Sequence, residues 1–70
     1  LSEITYPMAG KIIEVNVKEG DTVAEGDIVV VLEAMKMEMP IKTTVSGIIK
    51  KVNCSTGDAV AGEAVLIVIE

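Results

Sequence analysis

Shifted by 37 residues the chain matches itself, with 3–33 falling on 40–70 without a gap. Eleven of the 31 pairs are identical: Ile4/Ile41, Gly10/Gly47, Ile12/Ile49, Val15/Val52, Asn16/Asn53, Gly20/Gly57, Asp21/Asp58, Val23/Val60, Ala24/Ala61, Val31/Val68 and Glu33/Glu70. Average residue usage would give roughly two by chance. A repeat of this kind predicts two copies of one supersecondary unit, packed so that each buries the other's apolar face. Residues 1–70 are expected to form one domain, with copies over 3–33 and 40–70 and a connecting segment over 34–39.

The unit reads as β-structure. Each copy opens on a short extended piece, Ile4–Tyr6 or Ile41–Thr43. It turns through Pro7–Ala9 or Thr44–Ser46 into a glycine, then alternates over Lys11–Val17 or Ile48–Cys54. Turns follow at Glu19-Gly20-Asp21 and Thr56-Gly57-Asp58, where glycine supplies positive φ and aspartate bonds nearby backbone. A very short strand near Val23 or Val60 precedes Glu25-Gly26 or Gly62-Glu63, and an apolar strand ends the copy. Eight short strands at regular spacing predict an all-β, flattened antiparallel barrel or sandwich. The shared unit further predicts a pseudo-twofold axis. Such an axis would put the segment between the copies at the opposite end from Leu1 and Glu70.

Half the residues are apolar, yet Tyr6 is the only aromatic residue. The core must therefore come from Val, Ile, Leu and Met, a set in which β-branched strand formers dominate. Met8 is expected in that core in preference to a place under the hairpin, and Cys54 is read as a small buried residue on a strand. The net charge of −5 and the lack of a basic stripe argue against nucleic acid and anionic membrane as partners. One cysteine allows no internal disulfide, and the absence of histidine removes the commonest metal ligand and general base. Apolar runs of five or six residues are too short to insert in a membrane. With no signal sequence in view, a cytoplasmic setting is expected, and the start at Leu1 reads as a domain cut from, or processed out of, a longer chain.

The connecting segment carries the chemistry. Ile28–Leu32 reads as a buried strand and Met37–Lys42 as a weaker one, so the two form a hairpin with Lys36 at its tip. Most hairpin lysines are solvated charges. Here methionines stand on both sides, where Gly, Asn, Asp or Ser are the usual turn residues. Clustered exposed apolar side chains around one amine suit a lysine presented to another protein. Gly20 and Gly57 open no helix and are turn residues rather than a phosphate cradle. Glu33 and Glu38 border the lysine and read as surface residues, not a catalytic pair. A lysine nucleophile needs a depressed pKa or an adjacent base. The sequence supplies neither, so no catalytic residue and no metal site are assigned.

Ala34-Met35-Lys36-Met37 resembles the attachment motif of biotinyl domains, the carrier modules of biotin-dependent carboxylases, decarboxylases and transcarboxylases. The resemblance extends over essentially the whole chain, through Pro7-Met8-Ala9-Gly10, Glu19-Gly20-Asp21 and Gly57-Asp58. It implies a flattened antiparallel barrel with biotin amide-linked to Lys36, within a motif completed by Ala34, Met35 and Met37. It also implies a biotin protein ligase that activates biotin as its adenylate; Glu33 and Glu38, by their place beside the lysine, are candidate contacts for such a modifying enzyme. The tethered cofactor would then take up carboxylate at a biotin carboxylase site, or from a donor substrate, and deliver it at a carboxyltransferase site.

Two alternatives stand beside this reading. Lipoyl domains share the fold but usually carry Asp before the lysine and a small residue after it, whereas Met35 and Met37 favour biotin. A non-carrier interaction module would leave Lys36 unmodified. Some acetyl-CoA carboxylase carriers have a protruding segment in the first copy; Val15–Val23 matches Val52–Val60 without insertion, so that segment is absent. The chain looks more like carriers of pyruvate or acyl-CoA carboxylases, decarboxylases or transcarboxylases, or a free-standing carrier protein.

Overall fold

The computed structural model describes all residues from Leu1 to Glu70. Its strands are β1 Ser2–Thr5, β2 Gly10–Val15, β3 Thr22–Val23, β4 Ile28–Ala34, β5 Met37–Lys42, β6 Gly47–Val52, β7 Ala59–Val60 and β8 Val65–Ile69. They form two antiparallel four-stranded sheets, ordered β1-β8-β6-β3 and β5-β4-β2-β7. Replacing each strand by its counterpart in the other half (β1 by β5, β2 by β6, and so on) converts one order into the other. The predicted pseudo-twofold is therefore present, and it exchanges the sheets. Each sheet takes two central strands from one half and two edge strands from the other. Neither half holds a complete sheet alone, and the strands of the two halves are interleaved in both sheets.

The core is aliphatic, as the composition requires. Ile12, Leu32, Val29, Val30, Ile49, Leu66, Ile67 and Ile69 are buried between the sheets. Val29 and Val30 are both fully buried although adjacent residues of a strand normally face opposite ways. A register shift explains this: Ile28 pairs with Lys42 and Val30 with Ile41, so Val29 is an extra residue. The first sheet repeats the device, because Ile4 pairs with Ile67 and Thr5 with Val65, passing over Leu66. Such bulges add a residue to one strand and bend it. They also explain why β4 and β8 read as unbroken apolar runs rather than alternating ones.

Strands β2 and β6 stop at Val15 and Val52, two residues short of the expectation. Asn16 N–H donates to Val29 C=O at 2.9 Å and Asn53 N–H to Leu66 C=O at 2.8 Å, which ends the regular ladder at each bulge. Cys54 accordingly lies just beyond β6 rather than on it, but it is buried and its thiol donates toward Leu66 C=O at 3.9 Å. Met8 differs from its placement in the core. It is half-buried in the turn between β1 and β2 and is not among the hydrophobics packed on the central cluster. The turn backbone lies against Gly62, whose missing side chain leaves room for Pro7 C=O at 3.2 Å from an ideal Cβ. A turn held at the surface by its backbone does not carry its side chain inward. Thr43, read only as a strand end, is buried, and its hydroxyl is satisfied by donating to Val45 C=O and accepting from Val45 N–H.

Three of the four turns that flank the two-residue strands β3 and β7 share one construction. Gly20, Gly26 and Gly57 each take φ +93, and the following aspartate accepts a hydrogen bond from the backbone three residues earlier. In the fourth, Glu63 occupies the glycine's position at φ +65 and Ala64 replaces the aspartate. The left-handed backbone is disfavoured for a residue with a Cβ by about 1 kcal/mol or more. Glu63→Gly is therefore expected to stabilise the fold by roughly 0.5–1 kcal/mol, the net after glycine's greater unfolded-state entropy. A urea unfolding midpoint that rises checks this; a midpoint that falls rejects the strain argument.

Candidate functional site

Ala34 pairs with Met37, which leaves Met35 and Lys36 as a two-residue hairpin loop. Their φ angles are +54 and +64. Positive φ at both central residues is the signature of a type I′ turn, whose twist matches that of the strands it joins. Asn-Gly adopts it readily; Met-Lys does so at a cost of about 1–2 kcal/mol per residue. The conformation is held by the β4–β5 ladder, which runs unbroken from Val30↔Ile41 to Ala34↔Met37. Ala34 is buried directly beneath the turn. The lysine is thus rooted on a two-residue turn closed by the ladder and not on a longer loop.

At the tip the side chains face solvent. Met35 is 79% exposed and Met37 61%, and Lys36 is exposed between them. The chain's one ion pair joins Lys50 to Glu70 at 3.6 Å, so the Lys36 ammonium has no carboxylate partner. Glu33 and Glu38 are exposed and sit opposite each other across the ladder. Like charges so placed repel. On the other side of β4, Glu33 pairs with Lys11, which sets a cation in the same row. Gly10, next to Lys11, approaches the hairpin's root so closely that a Cβ there would lie 2.5 Å from Glu33 C=O. Neither Lys11 nor this contact was evident from the sequence; the only signal was Gly10's repetition at Gly47, which makes the equivalent approach to Glu70 C=O.

The hairpin and the chain ends lie at opposite ends of the domain. Ser2 pairs with Ile69, and Gly47 abuts Glu70. The short turn before Gly47 leads back to Lys42, which pairs with Ile28 at the start of β4. From there β4 runs seven residues to the hairpin, about 20 Å at the usual strand rise. The longest dimension of the molecule is 30 Å.

No cluster of ligating side chains is present that would hold a metal ion. No helix is long and apolar enough to cross a membrane. A doubled β scaffold that places an unpartnered amine on a tight hairpin turn, far from the chain ends, is the architecture of a prosthetic-group carrier domain. The family model described as biotin-requiring enzyme, of the biotin and lipoyl attachment type, matches residues 2–69, and the chain belongs to that family. Over 67 residues it is 39% identical to the biotinylated protein TB7.3 homolog of Mycobacterium leprae, covering 94% of both chains. It is 48% identical over 63 residues to the biotin-dependent acyl-coenzyme A carboxylase alpha3 subunit of the same organism, covering 90% of this chain but 10% of that one. Among solved structures, the urea carboxylase of Kluyveromyces lactis superposes with a TM-score of 0.90 at 32% identity, over 99% of this chain and 6% of that one. The chain thus spans almost all of one small relative and about a tenth or less of the large ones.

Proposed function

We propose that residues 1–70 are a single biotin carboxyl carrier domain, with copies over 3–33 and 40–70, the attachment hairpin over 34–39, and Lys36 as the attachment residue. The observation that carries this is the exposed, unpaired Lys36 side chain on a turn of fixed geometry. In the reaction the deprotonated Nζ attacks an activated biotin carboxyl; a C–N amide bond forms and the activating group departs. The amide removes the lysine charge, and nothing in the fold loses a partner. Ala34 seats the turn on the core, while Met35 and Met37 offer apolar surface on both sides of the amine. Glu33 and Glu38, facing each other beside the tip, are the proposed contacts for a biotin protein ligase.

When attached, biotin supplies the carboxylate-carrying chemistry, and the domain supplies reach and rigidity. Tethering raises the concentration of the carried group at each partner site to the order of mM. Biotin carboxylase and carboxyltransferase sites, or a decarboxylase, are the proposed partners, with the hard bond chemistry residing there and in the cofactor. The proposed setting is the cytoplasm, where ATP and bicarbonate are available to such sites. The chain itself is no enzyme on this reading.

Expression with an active biotin ligase, followed by intact mass measurement, tests the proposal. One biotinyl increment is expected. One lipoyl increment would move the chain to the lipoyl branch of the family, and no increment would leave it an unmodified interaction module.

A further inference from the structure

The four methionines divide sharply by environment. Met35 and Met37 are 79% and 61% exposed, whereas Met8 and Met39 are half-buried and Met39 packs on the core. The two open ones are the immediate neighbours of Lys36. The only cysteine, which would ordinarily compete for an oxidant, is closed off. Cys54 is buried at 6% exposure, and burial followed by the nearby Asp58 carboxylate pushes its thiol pKa up, so little reactive thiolate is present. Two-electron oxidants therefore meet thioethers first, and the thioethers they meet flank the amine.

From this placement we propose that Met35 and Met37 are an oxidation site, and that their sulfoxides block loading of Lys36; the consequence for loading rests on the attachment role proposed above. Hydrogen peroxide transfers one oxygen to each sulfur. The O–O bond breaks, an S–O bond forms, the sulfur gives up two electrons, and water leaves. The product is a polar, chiral side chain where a flexible apolar one stood. Neither sulfur contributes to the core, so the fold survives. What changes is the surface around the amine, since a partner that desolvates two thioethers would have to desolvate two sulfoxide oxygens instead. Methionine sulfoxide reductases reverse the change, each passing the oxygen to a pair of thiols that become a disulfide and water.

The test uses the whole chain. It is treated with dilute hydrogen peroxide, mapped by peptide mass spectrometry, and offered to biotin ligase with ATP and biotin, before and after incubation with both reductase types. Oxygen is expected on Met35 and Met37 before Met8 and Met39, with Cys54 unmodified and the far-UV circular dichroism unchanged. Loading of the oxidised chain is expected to slow by about tenfold or more, on the scale of an uncompensated polar burial, and to recover with the reductases. Equal oxidation of all four methionines, or an oxidised chain that loads at the untreated rate, overturns the proposal. If the untreated chain also takes no biotin, the attachment role itself fails, and the control arm identifies that outcome separately.

Discussion

Lys36→Arg abolishes biotin loading and leaves the fold unchanged: that is the largest functional effect expected of any single substitution in this chain. Amide formation needs a neutral amine to attack the activated carboxyl, and a guanidinium does not deprotonate in proteins. The exchange is structurally quiet. The side chain is exposed, has no ion pair, and meets the same left-handed backbone demand whether lysine or arginine occupies the turn. Stability should stay within about 0.5 kcal/mol, as for most surface changes. Intact mass and streptavidin blotting after expression with ligase measure the loss, and a urea melt measures the fold. The other lysines make the test discriminating. Lys50 is paired with Glu70, Lys18 belongs to a turn closed by Asp21, Lys11 lies mid-strand opposite Glu33, Lys51 lies mid-strand opposite Val68, and Lys42 extends from a strand between buried Ile41 and Thr43. None stands on a hairpin tip. Continued labelling of the arginine variant would mean that one of these is the acceptor, and the assignment of Lys36 would fall.

The fold was legible because its signals are local and duplicated. Strand content and turn positions follow from β-branched runs punctuated by Gly-Asp, and most of these signals occur twice; the hairpin occurs once, between the copies. The sheet orders were less accessible. That β1 joins β8 and β3 joins β6 is a matter of long-range pairing, and no local pattern specifies it. Bulges at Val29 and Leu66 were hidden for a related reason, since an unbroken apolar run looks the same with or without an extra residue. Met8 was misplaced because apolarity alone does not say whether a turn faces in or out; a contact with Gly62, more than fifty residues away, decides it.

At the candidate site, the sequence placed Lys36 at a hairpin tip, where the structure has it, but did not show the backbone it takes there. Turn statistics mark Met-Lys as poor choices for a tight loop, and the structure shows why that matters: both take positive φ. Local preference here is overridden by the register of β4 and β5. Departures of this sort, where strain is imposed by the surrounding scaffold, concentrate at functional sites. The conformation of the tip is therefore imposed by the ladder and the core below it.

That dependence leads to the largest expected effect on stability. Leu32 is fully buried on β4, two residues below Ala34, and pairs with Ile12 on one side and Met39 on the other. Leu32→Ala removes its transfer free energy and leaves a cavity at the junction of the two ladders that root the hairpin. Changes of this kind cost about 2–5 kcal/mol. Met39, half-buried and flexible, can relax partly into the space, which places the expectation near the middle, about 3 kcal/mol. A chain of this size has roughly 4–10 kcal/mol in total, so about three-tenths or more of its stability would go. With a urea slope of about 1 kcal/mol/M, the unfolding midpoint should fall by about 3 M. Ile48→Ala, at a site 52% exposed, serves as the control and should move little. Loading should report the same dependence by another route. The strained turn is favourable only while β4 and β5 stay paired, so the variant should load more slowly as temperature rises and recover on cooling, with its amine intact throughout. A midpoint equal to that of the parent chain would show that Leu32 does not support the hairpin. Loading that stays fast while the fold melts would show that an extended segment around Lys36 is recognised without the turn.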